Sequence, residues 1–285
     1  MTQDKQATDQ QLRRAMDLQL RAVQTSRRTK GDLHTATLQL VNELLMTVQR
    51  AREFAVRQEA GPGFTQSQLS EMRALFEEIY ETAVQEQGIN AEVSRWLANV
   101  VAEALLMEGN VAGAEKLHRQ ILDMNTKAAG RDDEYTLLSM SNLAGVLYQQ
   151  GKYKEARDLS SEEVSIRTRV NGPEALETME ALKRLALTLN GLRSPEEEAA
   201  VRRQILSICL KQHGTENTAT TEAAWYLVRL LRYTGPEKDL VEVLQNCLLW
   251  LGPADINKLT SRQRGIREEL RRWLQAGSEA QAAGS

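Results

Sequence analysis

The sequence predicts an all-α chain, a right-handed α-solenoid built from stacked antiparallel helix pairs. Three observations predict it. Apolar positions recur at a spacing of 42 residues: Leu105, Leu147, Leu189 and Leu231 form one register, and Val101, Leu143, Leu185 and Leu227 form another. Helix breakers keep the same step, with Gly88, Gly130, Gly172 and Gly214 in line. A period in this range marks supersecondary units that bury their apolar faces only by stacking. Composition agrees, since Leu, Ala, Glu, Gln and Arg abound while Pro numbers 5 and Phe 3, and these are strong helix formers.

Taken in order, residues 1–8 are polar. From about Gln10 to Arg28, Leu12, Ala15, Met16, Leu18, Ala22 and Val23 give a helical stripe. Heptads are not sustained, so no coiled coil is expected. A second helix begins with Leu33 and carries Leu38, Val41, Leu44, Leu45 and Val48. The breaker Gly61-Pro62-Gly63 marks a loop in an insertion near 51–66, so residues 1–66 read as a degenerate first repeat. A helix at about 67–87 closes it. Regular hairpins then pair 90–107 with 110–128, 133–149 with 152–170, 174–190 with 195–212, and 216–233 with 236–250, giving an array over 67–252.

The punctuation supports those boundaries. Pro195 and Pro236 suit a first helical turn, which needs no N–H there. Gly109, Gly151 and Gly235 fall at the turn within a repeat, and the third repeat places Gly191 near it, where a left-handed closing residue is expected. In the central repeat Met140, Leu143, Ala144 and Leu147 face Ala156, Leu159, Val164 and Ile166 as candidate core. Residues 253–276 read as a capping helix with Ile266, Leu270, Trp273 and Leu274 on one stripe. Its other face is basic, which also suits nucleic acid or a membrane surface. Residues 277–285 read as a disordered tail.

Several function classes lose support. A net charge of −3 gives no bulk attraction to nucleic acid or anionic lipid. No stretch approaches the roughly 20 apolar residues of a membrane helix. Cys209 and Cys247 stand apart from any CxxC spacing and read as buried free thiols of a reducing compartment, so a cytoplasmic location is expected. His34, His118 and His213 are scattered, with no metal-ligand spacing. Phosphate-loop, nucleophile-elbow and zinc-helix motifs are absent from the sequence. No catalysis, cofactor or metal is expected.

The run Leu143-Ala144-x-x-Leu147-x-x-x-Gly151-x-x-x-x-Ala156 resembles the tetratricopeptide repeat signature. The 42-residue length, Thr136-Leu137-x-Ser139-Met140-x-Asn142-Leu143-Ala144 and the closing Gly172-Pro173-Glu174 are similar to repeats of the kinesin light chain and nephrocystin-3 type. The resemblance reaches the repeat class, not a motor subunit. In register, Glu198 and Leu240 replace Ala156, and Arg184 and Tyr226 replace Asn142.

That resemblance implies a superhelix whose first helices line a concave groove. Carried over by register, the outward residues are Trp96, Asn99 and Glu103, then Ser141, Asn142, Gly145 and Tyr148. Lys183, Arg184 and Leu187 follow, then Trp225, Tyr226, Arg229, Arg232 and Tyr233. Of these, Asn142, Lys183, Arg184, Trp225, Tyr226, Arg229, Arg232 and Tyr233 are the candidate partner-binding residues. Arg and Lys pair with carboxylates, while Trp and Tyr add apolar area and a polar edge. The expected function is a protein–protein adaptor or scaffold that holds an extended, acidic peptide with an apolar anchor. The alternative is a regulatory or sensor module acting on an effector supplied in trans.

Overall fold

A computed structural model describes the backbone of residues 2–57 and 64–283, and the side chains of residues 10–51 and 64–275. The described residues contain helices and turns and no strand. The helices are α1 (Thr2–Lys30), α2 (Thr35–Arg57), α3 (Gln66–Gln87), α4 (Glu92–Glu108), α5 (Val111–Ala129) and α6 (Glu134–Gln149). There follow α7 (Tyr153–Val170), α8 (Leu176–Leu192), α9 (Pro195–His213), α10 (Thr218–Thr234) and α11 (Glu237–Cys247). A 3-10 turn at Leu249–Leu251 precedes α12 (Ser261–Ala283). The expected insertion near 51–66 falls largely outside the described residues. The last helix runs through Ala283, into the segment read as a tail.

The chain divides into two compact units, Met1–Gln150 and Gly151–Ser285. Within each, a helix packs on its neighbours in the chain, which is the α-solenoid arrangement. In the first unit, α1 to α4 bury Met16, Leu44, Met72, Phe76, Ile79 and Leu97 in one core. In the second, α8 to α12 bury Leu182, Leu189, Leu206, Leu227, Leu248 and Ile266.

One device repeats at the turn before each first helix. Gly31, Gly88, Gly130, Gly172 and Gly214 all have φ between 76° and 99°, a region that only glycine enters without strain. Six residues on, a fully buried hydroxyl stands at Thr37, Ser94, Thr136, Thr178 and Thr220. Thr37, Ser94 and Thr178 each donate to the carbonyl of their glycine at 2.8 Å, so the side chain closes the turn. Thr220 bonds the carbonyl of Cys209 instead, at 3.2 Å. Helix starts are further capped where Asp133 accepts from the N–H groups of Tyr135 and Thr136, and Asn217 from that of Ala219.

The turns within repeats differ from expectation in two places. Gly109 and Gly151 are left-handed as expected, but in the third repeat that role falls to Arg193 (φ 55°). Gly191 lies inside α8, where a Cβ would come within 2.6 Å of the Tyr153 ring, so its lack of a side chain serves packing. Gly235 is extended (φ −106°) because it precedes Pro236, which caps α11 from outside the first turn.

The second helix of the central repeat is also more polar inside than its sequence suggests. Met140, Leu143, Ala144, Leu147, Ala156 and Ile166 are buried, but Leu159 and Val164 are only half-buried. Ser160, Glu163 and Arg167 share the buried side of α7 with Ala156 and Ile166.

His118 of α5 is fully buried, and neither ring nitrogen has a partner among the described residues. Burial lowers its pKa from 6.5 to about 4. The folded chain therefore refuses a proton that the unfolded chain accepts below about pH 6.5. Stability should fall by about 3 kcal/mol between pH 6.5 and 4 and gain no further loss from this group below that. The preceding repeat holds Phe76 in the same register, also fully buried. His118→Phe should flatten this part of a urea-denaturation pH profile, and an unchanged slope would refute the assignment.

Candidate functional site

The first helices carry the candidate residues, and each unit is taken by itself. In the first unit Asn142 of α6 is half-buried and donates to Asn99 Oδ1 of α4 at 3.4 Å, while Asn99 Nδ2 donates to the Arg95 carbonyl at 3.0 Å. Two polar positions of successive first helices thus meet edge to edge. Ser141, expected outward, is buried. Trp96 lies half-buried against the core.

In the second unit the residues of α8 are largely engaged. Lys183 Nζ meets Glu180 Oε1 at 2.8 Å, an exposed pair on one helix. Arg184 turns toward α7, where its Nη2 donates to Glu163 Oε1 at 2.7 Å. The same oxygen accepts from Arg167 Nε at 2.8 Å. Glu163 has no exposed surface and the Arg167 side chain is 4% exposed, so this is a buried ion cluster. Leu187 stands out at 54% exposed.

On α10 the spacing Glu222, Tyr226, Arg229 and Tyr233 places four side chains on one outward stripe. Tyr226 lies between two guanidiniums, those of Arg202 at 5.1 Å and Arg262 at 5.9 Å from the ring centre. Arg262 also donates to Glu222 at 2.7 Å and to the Tyr226 hydroxyl at 3.3 Å. The bond to Glu222 holds the Arg262 pKa above its ordinary value. Arg202 is held in turn by Glu198, whose other oxygen accepts from Asn190 of α8 at 3.1 Å. Glu198 occupies the register of the small Ala156 and is 2% exposed, and these two partners are what make a carboxylate tolerable there.

Toward the end of α10 the chemistry is more open. Arg229 is exposed and has no ion-pair partner among the described residues. The Arg232 guanidinium lies 5.5 Å from the Tyr233 ring and 5.2 Å from the Trp273 ring of α12. Tyr233 is 78% exposed. Trp225 differs from expectation. It is 5% exposed and shares a core cluster with Ile266 and Leu270 of α12, so it faces inward.

Arg202, Arg262 and Trp273 were not singled out for this face by sequence. The Glu198–Arg202 spacing of four residues was the available signal. Among the described residues no group of three His, Cys, Asp or Glu is arranged to hold a metal. Cys209 and Cys247 are buried and free, and burial raises both thiol pKa values. No helix among the described residues is long and apolar enough to cross a membrane.

The tetratricopeptide repeat family profile matches residues 92–166 and 133–211. Residues 92–211 carry tetratricopeptide repeats. No curated protein matches the chain significantly by sequence. Solved structures show the same fold. The nearly identical TPR-like repeats of a candidate kinesin light chain from Podosopora anserina superpose with a TM-score of 0.58 at 18% identity, covering 80% of this chain and 98% of that one. BtubC (BKLC) from P. vanneervenii superposes with a TM-score of 0.64 at 12% identity, covering 91% and 92%. The matched residues hold α4, α6 and α8, and α10 follows them at the same 42-residue step.

Proposed function

We propose that the chain is a non-catalytic, cytoplasmic adaptor that holds an extended acidic segment of another protein along α8 and α10. The observation that carries this reading is the end of α10, where Arg229 is exposed with no carboxylate partner among the described residues and Arg232 lies between Tyr233 and Trp273. Lys183 and Arg184 contribute less, since each already meets a carboxylate. The apolar anchor is best supplied by Tyr233 and Leu187, which are exposed, rather than by Trp225.

Exposed ion pairs contribute only about 0–1 kcal/mol each, so apolar contact carries much of the affinity and the charges set on-rate and specificity. Fluorescence titration of labelled acidic peptides tests it. Arg229→Glu/Arg232→Glu should weaken binding about tenfold or more, and added salt should weaken but not abolish it. Equal binding by wild type and variant would remove α10 from the interface.

A further inference from the structure

α12 carries Arg262, Arg264, Arg267, Arg271 and Arg272 against Glu268, Glu269 and Glu279, in a chain whose net charge is −3. Its apolar side is only partly used. Ile266 and Leu270 are buried with α10, but Leu274, one turn on, is 47% exposed. The 3-10 turn after α11 presents Leu249, 46% exposed. Between them runs an open groove of about 360 Å³, walled by Leu249, Leu251, Leu270 and Leu274 and edged by Arg267 and Arg271. No acidic residue lines it.

The two arginines differ in freedom. Arg267 is fixed, because its Nη1 donates to the Ala254 carbonyl at 3.0 Å and its Nη2 to that of Gly252 at 2.8 Å. Arg271 reaches Glu268 only at 3.5 Å, with both side chains half exposed. Such a pair is weak and leaves the guanidinium fork able to take a second carboxylate.

The geometry points to this groove as a second docking site, for an acidic segment of another protein that carries one or two large apolar side chains. An apolar side chain fills the space between Leu249 and Leu274, and neighbouring carboxylates meet Arg271 and the fixed charge of Arg267. Charge complementarity selects that occupant. A second copy of this chain would bring one basic α12 against another, with like charges opposed. The site is independent of the α10 stripe, and either can fail alone.

The test is selection of dodecapeptides from a random display library on the immobilised full-length chain. Enriched sequences should combine Leu, Ile, Phe, Met or Trp with Asp or Glu. Synthetic copies should bind Leu249→Ser/Leu274→Ser and Arg271→Glu at least tenfold more weakly than wild type, with Arg229→Glu/Arg232→Glu unaffected. Leu249 and Leu274 are half exposed, so the double variant should keep the wild-type melting curve by circular dichroism. Absence of any enriched peptide that loses affinity in Leu249→Ser/Leu274→Ser overturns the proposal. So does enrichment of basic sequences, or binding to phosphatidylserine vesicles or duplex DNA that depends on the same residues while acidic peptides stay inert. Peptides sensitive only to Arg229→Glu/Arg232→Glu would support the α10 reading and overturn this one.

Discussion

Replacing Glu163 by alanine should destabilise the second unit by about 3–5 kcal/mol, the cost of removing one member of a buried ion cluster. Glu163 has no exposed surface, and its Oε1 accepts from Arg167 at 2.8 Å and from Arg184 at 2.7 Å. The substitution removes a buried carboxylate that meets the nearly buried Arg167. Restoring apolar packing with Glu163→Leu/Arg167→Leu should recover most of the loss, since a buried pair is often no better than well-packed hydrophobic side chains. Urea denaturation followed by far-ultraviolet circular dichroism measures both. A cost below about 1 kcal/mol for the single variant would mean that the cluster is solvated in solution.

Trp225→Ala should be nearly as damaging, at about 3–5 kcal/mol, because it empties a large core position. Trp225 is 5% exposed and belongs to the core cluster that also holds Ile266 and Leu270 of α12. Thermal denaturation should show a fall in melting temperature of several degrees. Tyr233→Ala, at an exposed position, should leave the melt unchanged. A Trp225→Ala chain that melts like wild type but no longer binds acidic peptide would return the residue to the binding surface.

The helix ladder was legible because two independent signals kept one period. The 42-residue apolar registers located the helices, and the glycines at 88, 130, 172 and 214 located the turns. Those glycines all have positive φ, so the sequence signal had a direct backbone cause. The hydroxyls at 94, 136, 178 and 220 share that period and were equally readable. Side-chain roles were less legible, because register alone does not say what lies opposite. Lys183 and Trp225 share a register position, yet Lys183 is exposed and Trp225 is buried with α12 residues. Arg184 read as an outward cation, but its charge is taken by Glu163, twenty-one residues earlier on another helix. Glu163 and Arg167 show helix-neighbour spacing and would pass for a surface pair by sequence. Only their burial gives them their weight.

Within each unit most packed helices are sequence neighbours, and the exceptions, α1 with α3, α2 with α4 and α10 with α12, skip one helix. Contacts of that kind close short stretches of chain, and short closures carry little entropy cost. Folding should accordingly be fast for a chain of this length, on the scale of proteins dominated by local contacts. Loss of structure should begin at the outermost helices and advance inward, so amide protons of α1 and α12 should exchange before those of the helices between. A nascent chain with such wiring can settle its early helices while later ones are still unmade, because few of the early contacts wait for a distant partner.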